Sequence, residues 1–345
     1  MSNVPVFVGL DYHQDSIQVC VVDQHGKMLL NRRAGNDCQE IGSLVNALGQ
    51  VQHVGIEACC GAADFSEELT DQLGWRVSLG HPAYVAKLKR SPDKSDYSDG
   101  RLLADLTRVG YLPKVWLPPA PIRELRQLVN HRQRLVDRKR SLKLQVGAIL
   151  REQRVKIAKD RGSRWSKTWV LSARDNDQLS RHGRWIVNDL LDDIVSTQRK
   201  ILKTEARLKQ ATRKDRVVER LMEQEGIGWV TAWVFRAYIG DFGRFRTARQ
   251  LSRYCGLSPC NASSGASVAD AGLINGCNKL LRLAVVQAAH RLIRISDRWG
   301  KLADSMRARG KHACVIVGAV GNRWLRTLHH AMKEPCGKPE VAQVK

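Results

Sequence analysis

The fold is decided by residues 6–34, VFVGLDYHQDSIQVCVVDQHGKMLLNRRA, which have the pattern of three short strands. Residues 6–13 are an apolar run with β-branched side chains, residues 16–23 alternate, and Gly26 makes the turn into residues 28–34. Short runs of this kind, separated by turn residues, are typical of an antiparallel meander. We therefore predict three antiparallel strands at the beginning of the chain.

Helical and strand patterns alternate in the segments that follow. Apolar residues at helical spacing precede Gly49 and Gly74, and each glycine is a helix-ending signal. We predict helix, strand, helix, strand and helix over residues 39–50, 51–58, 64–75, 76–82 and 96–110. Three antiparallel strands followed by this alternation is the order of an α/β RNase H-like fold, which actin-like ATPases share. We assign this N-terminal domain to residues 1–117.

Two series of regularly spaced apolar residues follow a proline-rich entry at residues 118–121. The first recurs every seven residues, at Leu128, Leu135, Leu142 and Ile149. The second has alternating steps of four and three, at Val187, Leu191, Ile194, Gln198 and Ile201. Both patterns predict a helical hairpin or coiled coil, which we place as a spacer over residues 118–220. Residues 160–178, polar with two tryptophans, predict a loop or partly ordered insertion at its tip.

Residues 221–334 predict an all-α C-terminal domain. The turn Gly226-Ile227-Gly228 resembles that of a helix–hairpin–helix, whose exposed amides can bind a phosphate. Ordinary turns have the same appearance, so the glycines alone leave this open. Residues 335–345 are rich in proline, glycine and lysine, and we predict a disordered tail.

The charge of the chain indicates a polyanionic partner. There are 57 Lys and Arg against 34 Asp and Glu, a net charge of +23, and residues 121–160 hold twelve of the bases and four of the acids. Nucleic acid is the usual partner of such a protein, although a solvated helical face would have the same composition. The candidate nucleic-acid contacts in this segment are Arg132, Arg134, Arg138, Lys139, Arg140 and Lys143.

Other protein classes do not fit the composition. The hydrophobic fraction of 43% excludes disorder as the main state, and no apolar run approaches the ~20 residues of a membrane helix. The N-terminus lacks the pattern of a secretory signal. Nine cysteines, an odd count without a C-x-x-C pair, argue against a disulfide framework and a zinc site. We expect a cytoplasmic protein, associated with the nucleoid of a prokaryote, without a membrane partner.

Four acids fall where the predicted fold would bring them together. Asp11 ends the first strand, Glu57 ends the fourth strand beside it, and Asp96 and Asp99 are three residues apart at the start of a helix. Converging carboxylates repel one another unless divalent cations lie between them. Two Mg²⁺ ions roughly 3.5–4 Å apart would suit phosphodiester chemistry. Taken singly, each acid is equally a surface residue or a helix cap, especially Asp96.

Four motifs resemble a known family. GLDYH (9–13), GIEACCG (55–61), KSDYSD (94–99) and YCGLSPCNASSGASV (254–268) resemble the DEDD transposases of insertion sequence 110, a family that includes the pilin-gene invertases. The resemblance covers nearly the whole chain. It implies a RuvC-like N-terminal domain in which Asp11, Glu57, Asp96 and Asp99 are catalytic and bind two Mg²⁺ ions. It also implies a C-terminal transposase domain from Gly226 to about Arg282.

The resemblance further implies a serine nucleophile, Ser264, that forms a covalent phosphoserine link to DNA. It implies a structured guide (bridge) RNA that pairs with donor and target DNA. Homodimers or homotetramers would complete the acidic site of one subunit with the serine of another. From the residues alone, Ser263 and Ser267 are rival nucleophiles in a loop that could also merely link two elements.

The chain departs from the family pattern at two places. Asn275 and Cys277 stand where many members have Lys and Gly, so Lys279 or Arg282 would have to supply that nucleic-acid contact. Glu225 stands where a Pro usually precedes the turn that contains Gly226 and Gly228.

The sequence therefore predicts a DNA transposase or site-specific recombinase of an insertion sequence. A site-specific invertase of the same family and a hydrolytic RuvC-like junction nuclease remain alternatives. An actin-like ATPase or sugar kinase should have paired glycine-rich phosphate loops and a second α/β half, which this chain lacks. A non-enzymatic scaffold would explain the charge but not the four placed acids.

Overall fold

The computed structural model describes residues 4–89, 95–157, 163–261 and 270–333. The chain divides into two compact units, Met1–Ala120 and Pro121–Lys345. The predicted tail, residues 335–345, lies outside the described residues. The separation of a spacer from the C-terminal domain near residue 220 stays a prediction.

The first unit is an α/β structure around a five-stranded mixed sheet with the strand order β3-β2-β1-β4-β5. Strands β1 to β3 are antiparallel, whereas β4 runs parallel to both β1 and β5. This arrangement is compatible with an RNase H-like domain. Its elements are β1 (Pro5–Tyr12), β2 (Ser16–Asp23), β3 (Met28–Gly35), α1 (Cys38–Asn46), β4 (Gln50–Glu57), α2 (Ala62–Leu73), β5 (Val77–Gly80), α3 (Pro82–Lys87) and α4 (Asp96–Arg108).

Helix α3 was not predicted, because residues 76–82 were assigned to a strand. The strand ends at Gly80, and Pro82 is the first residue of the helix. Proline suits that position, since its fixed φ is helical and the first amide has no partner within a helix.

Each face of the sheet packs against different helices. One face buries Val8, Leu10 and Ile56 in a core shared with α1 and α2. Helix α4 covers the other face, where the strands carry glycines. A Cβ on Gly9 would lie 2.2 Å from the backbone nitrogen of Ala104, and one on Gly55 would lie 2.0 Å from Oγ1 of Thr107. The absence of both side chains is therefore what allows α4 to lie this close to β1 and β4.

The second unit is mainly helical. Among the described residues, no helix is long and apolar enough to cross a membrane. The helices are α5 (Ala120–Glu152), α6 (Lys167–Arg174), α7 (Arg181–Ala211), α8 (Arg216–Met222), α9 (Trp229–Tyr238), α10 (Ala248–Tyr254), α11 (Lys279–Ile295), α12 (Asp297–Ala308) and α13 (Ala313–Lys333), with a 3₁₀ turn at Phe242–Arg244.

The prediction of an all-α C-terminal domain was wrong in one place. Strands β6 (Pro259–Asn261) and β7 (Asp270–Leu273) form a small antiparallel sheet. Strands of three and four residues are too short to give a readable alternation of apolar and polar side chains.

Helices α5 and α7 form an antiparallel hairpin, as two side-chain contacts between them show. Arg132 lies 2.7 Å from Glu205, and further along Lys139 donates to Gln198 at 2.5 Å. At the distal end, Leu142 and Leu191 are buried in a small core of their own. At the base, Leu125 of α5 joins the main core of the unit.

The segment predicted as a loop at the tip contains helix α6 in its described part. Ser166 caps this helix by accepting from the amide of Trp169 at 3.2 Å. Trp169 is buried in the distal core, and its ring lies 4.8 Å from that of Trp165. The polar composition hid this helix, because only Trp169 and Ala173 of its eight residues are buried, with Val170 packed beside them.

We predict opposite effects of one substitution at two glycines. Gly9→Ala should lower the free energy of unfolding by about 1–3 kcal/mol, because the new methyl meets the backbone of α4. Gly318→Ala, in α13, should raise it by up to about 1 kcal/mol, since nothing lies within 4 Å of the added Cβ and alanine favours a helix. Thermal or urea unfolding followed by circular dichroism measures both. Equal effects of the two substitutions would contradict the close packing of α4.

Candidate active site

Two of the predicted acids meet at the carboxyl edge of the parallel strands. Leu10 of β1 is paired with Ile56 of β4, so the next residues, Asp11 and Glu57, are level with each other. Each follows by two positions a glycine that faces α4. Because side chains alternate along a strand, both acids are on the α4 face of the sheet.

The N-terminus of α4 supplies the other two acids. Ser95 caps the helix by accepting from the amide of Ser98 at 3.2 Å, and Asp96 and Asp99 lie in the first turn. The positive end of the helix dipole favours carboxylates at these positions. Asp99 is buried, whereas the Asp96 side chain is 46% exposed. The close packing of α4 on Gly9 thus brings this helix end beside Asp11.

A histidine that the sequence analysis did not select lies between two of these acids. Nε2 of His13 is 3.4 Å from a carboxylate oxygen of Asp11 and 3.5 Å from one of Asp96. The possible ligand atoms of these three residues lie within 4.8 Å of one another. The spacing of two residues between Asp11 and His13, at the end of a strand, was the signal that could have revealed it.

Asp99 and Glu57 are outside this close group. Asp99 forms an ion pair with Lys89, whose Nζ lies 2.6 Å from its carboxylate, and both side chains are largely buried. The ammonium group balances the charge of the most buried acid. Sequence alone gave no reason to select Lys89, because the pair joins two residues that are ten positions apart.

The acids influence one another electrostatically. Burial raises the pKa of the Asp11 carboxyl above its ordinary value; His13 opposes this shift, and the charges of Asp99 and Asp96 add to it. Burial also raises the pKa of the nearby Cys59 thiol, and the charges of Glu57 and Asp11 raise it further. Asp11 is therefore coupled to Asp96 and Asp99, and Glu57 acts together with Asp11 on Cys59.

This donor set could hold a divalent cation. Carboxylate oxygens from Asp11 and Asp96 suit Mg²⁺ or Mn²⁺, and an imidazole suits transition metals. Burial, and to a lesser extent the neighbouring charges of Asp99 and Asp96, raises the pKa of Asp11, and a bound cation would favour its charged form. Lys89 engages Oδ2 of Asp99, so a cation that bound Asp99 would compete with this ion pair.

Ser264, with its rivals Ser263 and Ser267, lies outside the described residues. The strands on either side are described, and they pair Asn261 with Asp270.

Most of the predicted basic contacts on α5 are engaged within the hairpin. Arg132 and Arg138 pair with Glu205 and Asp193. Lys139 donates to Gln198, and Lys143 lies 4.7 Å above the ring of Trp165, where burial lowers the pKa of its ammonium. Of the six candidates, Arg134 and Arg140 are exposed and have no ion-pair partner among the described residues.

The remaining candidates differ in their environments. Gly226 has a φ of +84°, and Gly228 is the N-cap of α9. The following Trp229 is 41% exposed, with Lys209 5.5 Å from its ring. These features suit a surface turn.

Two further candidates lie on α11. Lys279 is exposed at the first position of the helix. Arg282 instead donates to the carbonyl of Ile274. Its guanidinium therefore holds the loop that precedes the helix.

Comparison with known proteins relates both units to one family. Residues 8–154 match a family described as "Transposase", of the DEDD type of insertion sequence IS110. Residues 218–303 match the "Transposase IS116/IS110/IS902 family". The first match contains all four acids, and the second contains the turn at Gly226 and the β6–β7 segment.

Curated relatives extend along most of the chain. A transposase for insertion sequence element IS1111A from Coxiella burnetii is 25% identical over 83% of this chain and 78% of its own length. A probable family 20 transposase from Pseudomonas aeruginosa is 24% identical over 96% of this chain and 98% of its own. A transposase for element IS1328 from Yersinia enterocolitica is 25% identical over 94% of this chain and 96% of its own length. The chain belongs to the insertion sequence 110 family of DEDD transposases and is a DNA transposase.

Proposed function

We propose that this transposase cuts and rejoins DNA through a metal-binding DEDD site and a serine nucleophile. The observation that carries the proposal is the convergence of Asp11, Asp96 and His13 at the sheet edge, with Glu57 level with Asp11. A buried carboxylate, Asp99, lies one helical turn from Asp96. A RuvC-like fold for the first unit is part of the proposal, and the strand order supports it.

The four acids would hold two Mg²⁺ ions. Bound divalent cations would stabilise the charge that develops on the attacking and leaving oxygens of a phosphodiester. His13 would orient the carboxylates of Asp11 and Asp96, since it lies within 3.5 Å of both. Lys89 would release Asp99 when cations provide the positive charge.

Ser264 would carry the covalent step. Its Oγ attacks the phosphorus of a DNA phosphodiester, so an Oγ–P bond forms while a P–O bond to deoxyribose breaks. The serine proton leaves to a base, and the released deoxyribose oxygen takes up a proton. The phosphodiester is kept as a protein–DNA ester, so a second DNA hydroxyl can reverse the exchange and join a new strand.

The partners complete the proposal. We propose donor and target DNA, a structured guide RNA, and a homodimer or homotetramer in which one subunit's serine serves another's acids. The net charge of +23 supports a large polyanionic partner. Association with the nucleoid in the cytoplasm follows from a DNA substrate.

Phosphate binding by the Gly226–Gly228 turn and by Lys279 belongs to the same proposal. The hydrogen bond from Arg282 to the carbonyl of Ile274 argues against a free phosphate contact by Arg282.

We predict that Asp11→Ala or Glu57→Ala abolishes strand cleavage and leaves DNA affinity within about twofold, because affinity comes mainly from Lys and Arg contacts to phosphates. Asp11→Ala should also reduce the number of Mn²⁺ ions bound per chain, measured by electron paramagnetic resonance without DNA. The matched control is Asp15→Asn, an exposed acid close in sequence, which should leave cleavage and Mn²⁺ binding unchanged. Equal losses of DNA affinity and cleavage would contradict the metal role.

We predict that Ser264→Ala removes a covalent protein–DNA adduct and all joined product. The protein, Mg²⁺, the RNA and labelled DNA are incubated and denatured, and label that migrates with the protein is measured. Ser263→Ala and Ser267→Ala are the controls and should keep both products. Cutting and joining by Ser264→Ala at near the original rate would exclude the serine mechanism, and cutting without any adduct in the unmodified protein would favour a hydrolytic nuclease.

We predict that the exposed arginines of α5 contribute to nucleic-acid affinity more than the paired ones. Arg134→Gln/Arg140→Gln should lower the slope of log affinity against log salt by about two units, about one for each phosphate that an arginine no longer neutralises. Arg132→Gln/Arg138→Gln removes the same charge from arginines that face Glu205 and Asp193, and should change mainly thermal stability. Equal changes in slope for both pairs would show that ion pairing does not select the contacts.

A further inference from the structure

The last helix of the second unit has an exposed face without acids. No Asp or Glu occurs in residues 305–333. Within α13, Arg323, Arg326, His330 and Lys333 are exposed and follow one another at steps of three, four and three residues. This spacing puts them along one face of the helix.

The opposite face of α13 fixes the orientation of these side chains. Trp324, Leu325, Leu328 and Met332 are buried in the main core of the unit. The helix therefore cannot rotate without exposing them. At 1.5 Å per residue, the ten steps from Arg323 to Lys333 extend over about 15 Å.

Two hollows adjoin this row and share Arg326. One, of about 440 Å³, also contains Arg298 of α12 and Arg323. The other, of about 320 Å³, contains Arg246, Arg249 and Lys333. No carboxylate lines either hollow. We call these six cationic residues the basic strip: Arg246, Arg249, Arg298, Arg323, Arg326 and Lys333.

The charges of the basic strip are not balanced within the protein. Within the described parts of the chain, none of its six members has a salt-bridge partner, although arginines elsewhere, such as Arg236 with Asp215, are paired at 2.6 Å. The guanidinium of Arg298 lies over the ring of Trp299, 4.7 Å from its centroid. Like charges gathered in this way repel one another, and a bound polyanion would relieve that repulsion.

The surroundings of the strip favour a duplex backbone over unpaired bases. Proteins that bind single strands stack bases on exposed aromatic rings, whereas Trp299 and Trp324 beside the strip are only 5% and 4% exposed. Phosphates along one DNA strand advance by about 3.4 Å per nucleotide. A row of about 15 Å therefore matches a short run of phosphates.

We propose that the basic strip binds the phosphate backbone of the duplex DNA substrate, independently of base sequence. The proposal rests on the DNA transposase activity of the family. It does not depend on the metal site or on Ser264, and its test is run without cleavage.

The test compares Arg323→Gln/Arg326→Gln with the unmodified full-length chain. Binding of a fluorescent 30-base-pair duplex is measured by anisotropy in EDTA at several salt concentrations. The double variant should bind on the order of tenfold more weakly at 0.1 M salt, with the salt slope lower by about two units. Circular dichroism should show an unchanged melting temperature, since both side chains are exposed. Arg323→Lys/Arg326→Lys should retain most of the slope, because the charge remains.

The matched control is Arg309→Gln/Lys311→Gln, which removes the same charge from exposed residues at the end of α12 and just beyond it, outside both hollows and without a salt-bridge partner among the described residues. If the control lowers the salt slope equally, the effect depends only on the net charge of the protein, and the proposal is overturned. An unchanged slope for Arg323→Gln/Arg326→Gln would overturn it too. If Arg323→Gln/Arg326→Gln lowers the affinity for a structured RNA and leaves the duplex affinity intact, the strip binds RNA. If it leaves the duplex affinity unchanged and loses an acidic protein partner, the strip binds that partner. Both outcomes contradict the proposal.

Discussion

The candidate active site depends on the close approach of α4 to the sheet. Gly9 and Gly55 have no side chains on that face, so the backbone of α4 at Gly9 and the side chain of Thr107 at Gly55 lie where a methyl group would be. Two residues further along the same strands come Asp11 and Glu57. The first turn of α4 brings Asp96 to within reach of His13, which also contacts Asp11. The spacing of the acids therefore follows from a packing distance.

The same packing brings carboxylates close enough to repel one another, and two basic side chains lie beside them. Lys89 balances Asp99, the most buried acid, and His13 bridges Asp11 and Asp96. Even with these two neighbours in place, the pKa of Asp11 stays raised. A divalent cation would supply the remaining positive charge. The site thus has donor groups that could hold a divalent cation, with Lys89 and His13 beside the carboxylates.

Ion pairing also decides which parts of a strongly basic surface are available. In the α5–α7 hairpin, two arginines, Arg132 and Arg138, pair with acids of the opposite helix. Among the described residues, no carboxylate lines the two hollows of the basic strip, and none forms a salt bridge with its six members. The sequence favoured α5 as the nucleic-acid contact, because basic residues are dense in that segment. The structure shows that density and availability differ, since acids contributed by α7 neutralise bases on α5.

Sequence by itself determined the five strands of the first unit, the long helices of the second and the family, because alternation, heptad spacing and motif residues are local properties. It also proposed the four acids as one site, which stays a prediction. It missed α6, α3 and the β6–β7 pair, whose patterns are short or hidden by polar residues. Only the tertiary structure decided that His13 and Lys89 contact the acids, that Arg132 is engaged by Glu205, and that Arg246, Arg298 and Arg326 meet on one surface. These contacts join residues from separate elements, and their distances are set by how the elements pack, which no local pattern in the chain records.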